Sequence, residues 1–271
     1  MITYNSILKT EGEYYYSVNL SADGHLTCGM MGGKTEIWDA DRSDIRYSTR
    51  VEGHIHDMME YGDHLYGALH HCDQLTVLRY DRQLTNRESV ISIPYKKDKL
   101  SHIDVKYGKI GVTDWDNKLI KLYTTDGEFV RDIQLKDAKQ PYVVCLMKDN
   151  CVLLSDWKAR SVTKYRTDGS GDIEWICEDW LRSPAGLCVD EWGFVFECWY
   201  FGDTIYLLSP RGNYSIAYHQ LTETLCIPAL LSDLTCSELK TISIVHDINV
   251  SWSRLYLACR GHGIKCFTIS Y

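Results

Sequence analysis

Val112-Thr113-Asp114-Trp115 recurs 42 residues later as Leu154-Ser155-Asp156-Trp157, and 42 residues after that as Phe196-Glu197-Cys198-Trp199. Each copy is followed by a polar turn and an apolar run: Leu119 to Tyr123, Val162 to Tyr165, and Ile205 to Leu208. A turn signal comes next, as Asp126-Gly127, Asp168-Gly169 and Arg211-Gly212. Glycine supplies the positive φ that tight hairpin turns need, so each run reads as a strand closed by a hairpin. Self-similarity at a fixed period of this size marks a repeat fold.

The frame extends in both directions. The large residue ending the third strand of each unit is Trp38, Tyr80, Tyr123, Tyr165, Leu208 and Phe267, at spacings of 42, 43, 42, 43 and 59. The long last gap implies an insertion of about 16 residues within 221–240, where Leu230, Leu231 and Leu234 have helical spacing. Four short antiparallel strands per unit make a propeller blade, and a lone blade cannot bury both of its faces. The expectation is therefore an all-β, six-bladed β-propeller of four-stranded antiparallel blades. It is a single domain spanning 1–271, with blades near 11–53, 54–100, 101–140, 141–182, 183–245 and 246–271 plus 1–10. The N-terminal strand, Tyr4 to Lys9, would join the last blade beside Lys265 to Ile269 and so close the ring. An open β-sandwich is the alternative, but it does not call for six units or a strand borrowed from the other terminus.

Composition narrows the function classes. Hydrophobic residues are 45% and charged residues 24% of the 271, as in an ordinary globular protein. No run reaches the ~18 apolar residues of a membrane span. Met1 to Asn5 has no basic start followed by an apolar stretch, so a cytoplasmic protein without a membrane partner is expected. The net charge of −8 argues against a surface that grips DNA as a whole, while leaving a locally basic face open to RNA. The eleven cysteines include no Cys-x-x-Cys pair, which makes a RING or zinc ribbon unexpected here and favours reduced core cysteines. Asn19-Leu20-Ser21, Asn213-Tyr214-Ser215 and Asn249-Val250-Ser251 match glycosylation acceptors, by chance in a cytosolic chain.

Ser183-Pro184-Ala185-Gly186-Leu187-Cys188-Val189-Asp190, followed by Gly193-Phe194-Val195-Phe196, resembles the NHL-repeat signature. That signature is a Pro-x-Gly turn, an apolar strand ending in Asp, a glycine turn and a second strand. Val112 to Asp114 and Ile120 to Tyr123 follow the same plan, and the chain in outline is similar to the C-terminal propellers of divergent invertebrate tripartite-motif proteins. The fifth unit carries the motif most fully. The resemblance implies a scaffold-like recognition module that binds a protein partner or, in some members, RNA. It does not imply ubiquitin-ligase activity.

Antiparallel order places the loop entering each blade and the loop between strands two and three on one face, the top. The residue after the second strand is, in ring order, Met30, Cys72, Trp115, Trp157, Trp199 and Cys259. Three successive tryptophans read either as a ligand wall or as packing between blades. Lys118, Arg160 and Arg260 stand on the same top loops. With Trp115, Trp157 and Trp199 they form the candidate binding patch for a protein partner, acidic or phosphorylated, or for single-stranded RNA.

The residue near the start of the first strand gives Ser17, His56, His102, Val143, Ala185 and His246. His56, His102 and His246 read either as a metal site at the channel mouth or as loop anchors. As a metal site they would hold zinc or calcium, for a hydrolase or lyase. Asp57, Asp104 and Asp247 follow them and would orient the rings or take the place of ligands. Otherwise no cofactor is expected. No nucleophile elbow, P-loop, Rossmann fingerprint or His-Glu-x-x-His is present, so the reading leans away from catalysis. His70-His71-Cys72-Asp73 is rich in ligand types, but adjacent strand residues point to opposite faces, so it reads as a strand end.

Overall fold

A computed structural model describes residues 2–8, 15–21, 23–39, 44–95, 101–178, 184–190, 192–199, 205–212, 215–218, 224–225, 245–251, 254–259 and 263–269. Side chains are described only between 15 and 212, with Trp199 excepted. The chain opens with β1 (Ile2–Leu8). Blade 1 is β2 (Tyr15–Leu20), β3 (His25–Met30), β4 (Lys34–Asp39) and β5 (Asp44–Arg50). Blade 2 is β6 (His54–Tyr61), β7 (His64–His71), β8 (Gln74–Asp81) and β9 (Arg87–Pro94). Blade 3 is β10 (Ile103–Lys106), β11 (Lys109–Asp114), β12 (Leu119–Thr124) and β13 (Phe129–Gln134). Blade 4 is β14 (Pro141–Leu146), β15 (Cys151–Asp156), β16 (Ser161–Arg166) and β17 (Ile173–Cys177). Blade 5 is β18 (Pro184–Val189), β19 (Val195–Trp199), β20 (Ile205–Leu208) and β21 (Ser215–Tyr218). The chain then gives β22 (Thr224–Leu225), β23 (Val245–Ser251), β24 (Arg254–Cys259) and β25 (Gly263–Ile269).

The repeat called for six blades of four strands, and five sheets have that form. The remaining sheet has five strands, in the order β22-β1-β25-β24-β23. Its extra member comes from the expected insertion: Leu225 pairs with Ile2 and Thr224 with Thr3. β1 in turn runs antiparallel to β25, Ile2 opposite Ile269 and Leu8 opposite Ile264. β23 packs against β18 on one side and β2 on the other. The helix expected around Leu230, Leu231 and Leu234 lies outside the described residues.

Burial follows strand order. β14 and β15 are buried along their whole length, whereas β5 and β13 are mostly exposed. An inner strand has a blade on each side, so both of its faces must be apolar, which is why Pro141 to Leu146 reads as a continuous apolar run and not an alternating one. Trp38, Tyr80, Tyr123, Tyr165 and Leu208 occupy the last or next-to-last position of their third strands.

The core is a set of layers between successive blades. Ile120 and Leu122 of blade 3 meet Val144 and Leu154 of blade 4, and Tyr142 and Leu153 of blade 4 meet Ala185 and Phe196 of blade 5. Full burial of each such aliphatic or aromatic side chain contributes about 1.5–3 kcal/mol. Gly127, in the Asp126-Gly127 hairpin, has φ 87°, and a Cβ there would collide with the Val90 carbonyl of blade 2. The described cysteines are all free and, except for Cys72, buried. No helix among the described residues is long and apolar enough to cross a membrane.

Candidate functional site

Two neighbouring loops on the top face are built alike. Between β11 and β12, Asp114 Oδ1 accepts the Asn117 backbone N–H at 3.1 Å and Oδ2 accepts the Asn117 side-chain amide at 3.0 Å. Between β15 and β16, Asp156 Oδ1 accepts the Ala159 N–H at 2.7 Å, and Oδ2 accepts Lys139 N–H at 2.6 Å. Short polar side chains that bond their own loop backbone fix such turns. Each loop ends on an exposed cation in the left-handed region, Lys118 at φ 53° and Arg160 at φ 59°.

Trp115 and Trp157 follow the two aspartates and are half-buried against the core layer of blades 4 and 5. Tyr142 stands between them, 6.5 Å from the Trp115 ring and 5.7 Å from the Trp157 ring. The tryptophans thus pack between blades while keeping part of each ring open. Trp199 ends β19, with its side chain outside the described residues, as is the whole of Arg260. Lys136, which follows β13, pairs with Asp172 of the β16–β17 turn at 2.8 Å. The twist of each blade carries its outer strand across to the next blade's turn.

Five first strands bulge near the aligned positions, while β10, which follows His102, pairs without a register shift. The first strand slips register between Tyr15 and Ser17, Ile55 and Asp57, Pro141 and Val144, Pro184 and Gly186, and Val245 and Asp247. A bulge inserts a residue and re-aims its side chain. The inserted positions are Tyr16, His56, Tyr142 with Val143, Ala185 and His246. His56 is buried, its ring 4.5 Å from Tyr16 and 4.4 Å from His70. His102 is buried against Tyr142 at 4.4 Å, and its Nδ1 lies 3.1 Å from Asp57. The side chain of His246 is outside the described residues.

Among the described residues, the group with three potential ligand atoms within 4.8 Å of one another is Asp149, Cys151 and Glu174. The ammonium of Lys164 already bridges its carboxylates, at 2.5 Å from Asp149 and 3.0 Å from Glu174.

The aspartates after these positions bind across blades. Asp57 of blade 2 accepts the Ile103 N–H of blade 3 at 2.7 Å while holding His102. Asp104 of blade 3 accepts the Leu146 N–H of blade 4 at 2.7 Å. Asn19 of blade 1 accepts the Glu60 N–H of blade 2 at 3.3 Å. Sequence spacing hid this because the partners lie 41 to 46 residues apart.

His70 is a strand end, as its neighbours suggested, yet pairing with His54 sets it beside His56. Its Nε2 lies 3.1 Å from the Ser101 carbonyl, so that nitrogen carries the proton. Burial pulls its pKa down to about 4, which keeps the ring neutral near pH 7.

Glu197 departs from the repeat. Thr113 accepts the His102 N–H at 2.9 Å, and Ser155 accepts the Val143 N–H at 3.0 Å. Glu197 takes their place in blade 5, is 0% exposed, and meets the backbone of Ala185. Burial pushes its pKa well above the usual carboxyl range. A raised folded pKa favours the protonated fold, so stability is fullest at low pH and declines as pH rises through that pKa. Glu197→Gln is expected to raise the melting temperature, and by more at pH 8 than at pH 5. A loss of stability at both pH values would mean that a cation beyond the described residues holds the carboxylate.

No protein-family model matches the chain, and no curated protein matches it in sequence. Solved structures do match. Virginiamycin B lyase from Staphylococcus aureus superimposes with a TM-score of 0.70 at 13% identity, over 100% of this chain and 99% of that one. The WD40 β-propeller domain of Doa1 gives 0.67 at 10% identity, over 99% and 97%. A chain of the mitotic checkpoint complex gives 0.64 at 12% identity, over 97% and 77%. At such identities likeness carries the fold and nothing more: the protein is an all-β propeller of four-stranded antiparallel blades.

Proposed function

We propose that this propeller is a non-catalytic recognition module whose top face binds an acidic segment of a protein partner. The observation that carries the reading is the duplicated loop, in which an aspartate fixes the turn, a tryptophan is half open and a cation is held outward. Lys118 and Arg160 repeat one blade apart in a protein of net charge −8, so they mark a local site for negative charge. Partly open aromatic rings beside them supply the apolar contact that binding hot spots use. Trp199 and Arg260 extend the patch in this reading. The five-stranded sheet takes the sixth place in the ring, β1 closing it, as in the NHL-type propellers that the chain resembles. Free cysteines at every described position fit a reducing, cytoplasmic setting.

Selection of a displayed peptide library on the immobilised protein tests the reading. Acidic peptides are expected to be enriched, and their affinity to fall at least tenfold in a Trp157→Ala, Arg160→Glu variant. Equal retention by both proteins removes the site. Recovery of oligouridylate with a steep salt dependence would instead move the face to single-stranded RNA.

The second reading is a metal-dependent hydrolase or lyase at the channel mouth. It is favoured by the bulges that place His56 and His246 at equivalent positions of their first strands. Elemental analysis decides it. One zinc or calcium ion per chain, lost when His56, His102 and His246 are all replaced by alanine, establishes a metal centre; no metal in either protein dismisses it.

A further inference from the structure

The five-stranded sheet demonstrates that the outer edge of a blade in this protein accepts one more strand, since β22 adds antiparallel to β1. Among the described residues, the outermost strand of each four-stranded blade has a neighbour on one side only, so each presents N–H and C=O groups to a further strand. Charge and proline normally blunt such edges. β5 carries Asp44, Arg46 and Arg50; β9 carries Arg87, Glu88 and Pro94; β13 carries Arg131 and Asp132. β17 carries Glu174 alone, with Ile173 36% and Ile176 42% exposed. Among the outer strands with described side chains it is the least protected.

The two sides of β17 differ in chemistry. Towards blade 3 lies a cleft of about 370 Å³ that includes Lys109, Arg131 and Arg166. Its acids are occupied internally, Asp149 and Glu174 by Lys164 and Asp168 by Arg166. Lys109 and Arg131 have no carboxylate partner among the described residues. Towards blade 5 lies a second cleft, where Ile173, Trp175 and Pro210 form an apolar strip beside the charged Asp172 and Arg211, with Arg166 and Glu174 shared between the two clefts. A strand added to β17 would send alternate side chains to these two sides.

We propose that the free edge of β17 receives an extended segment of a partner protein in which acidic residues alternate with β-branched ones. The acids enter the basic cleft and the branched residues cover the apolar strip, while the backbone pairs with β17. This site is separate from the top-face loops.

The probe is a fluorescein-labelled seven-residue peptide of alternating aspartate and valine, titrated into the full chain by anisotropy. Saturable binding is expected, weakened at least tenfold by Arg131→Glu, by Ile173→Lys on the apolar strip, and by N-methylation of alternate amides in the probe. The titrations are run in a Trp157→Ala, Arg160→Glu background, which removes the top-face site for acidic peptides. Ile173 is 36% exposed, so its substitution should preserve the fold, which the circular dichroism spectrum checks. Absence of saturable binding overturns the proposal, as does binding that survives N-methylation. Two further outcomes do the same: equal competition by an oligouridylate of matched charge, and self-association of the chain abolished by Ile173→Lys.

Discussion

Asp57→Ala is expected to cost about 2–6 kcal/mol of folding stability, about 1–3 kcal/mol for each of the two buried donors left without an acceptor. Asp57 is 2% exposed and serves blade 3 twice, through the Ile103 N–H and the His102 ring. Alanine strands both donors in a site that water does not reach, and an unmade buried hydrogen bond costs more than a made one contributes. Asp57→Asn keeps an acceptor for Ile103 and is expected to lose distinctly less. Equilibrium urea denaturation of the three proteins measures the difference. A loss below about 1 kcal/mol for alanine would show that the blade 2–3 seam does not depend on this carboxylate.

Acid is expected to destabilise the same seam through His70. Its folded pKa of about 4 lies below the ordinary 6.5, so the folded state resists taking the proton. The stability associated with the neutral ring is complete above pH 6.5 and is lost as pH falls towards 4. The gap corresponds to about 3 kcal/mol. His70→Gln keeps a donor for the Ser101 carbonyl and has no proton to gain. The stability difference between wild type and His70→Gln is expected to shift by that amount in favour of glutamine between pH 7 and pH 4. Parallel pH profiles for the two proteins would show that His70 is more hydrated than its packing against His56 and Tyr95 implies.

The parts of the fold legible in the sequence are those that repeat locally. The Asp-Trp turns, the glycine hairpins and the large residue closing each third strand recur at nearly constant spacing because each blade solves the same packing problem. β22 was not legible: two residues, Thr224 and Leu225, carry no periodicity, and only pairing with β1 makes them a strand. The bulges needed the register: they fall on the aligned positions His56, Val143, Ala185 and His246, but on Tyr16 and not Ser17 in blade 1, and β10 beside His102 has none. The aspartates are legible as groups that orient histidines or take the place of ligands, but not which histidine each meets: Asp57 reaches His102 of the next blade, because neighbouring first strands lie side by side. Glu197 was not legible as a buried acid, since a carboxylate at a Thr or Ser position looks polar and ordinary until its burial is known.

Hydrogen–deuterium exchange on the complex with the best selected acidic peptide tests the central claim most directly. Protection confined to residues 114–118 and 156–160 is the predicted footprint of a partner held by the duplicated loops. Unchanged exchange in those two loops, with protection elsewhere in the ring, would contradict it.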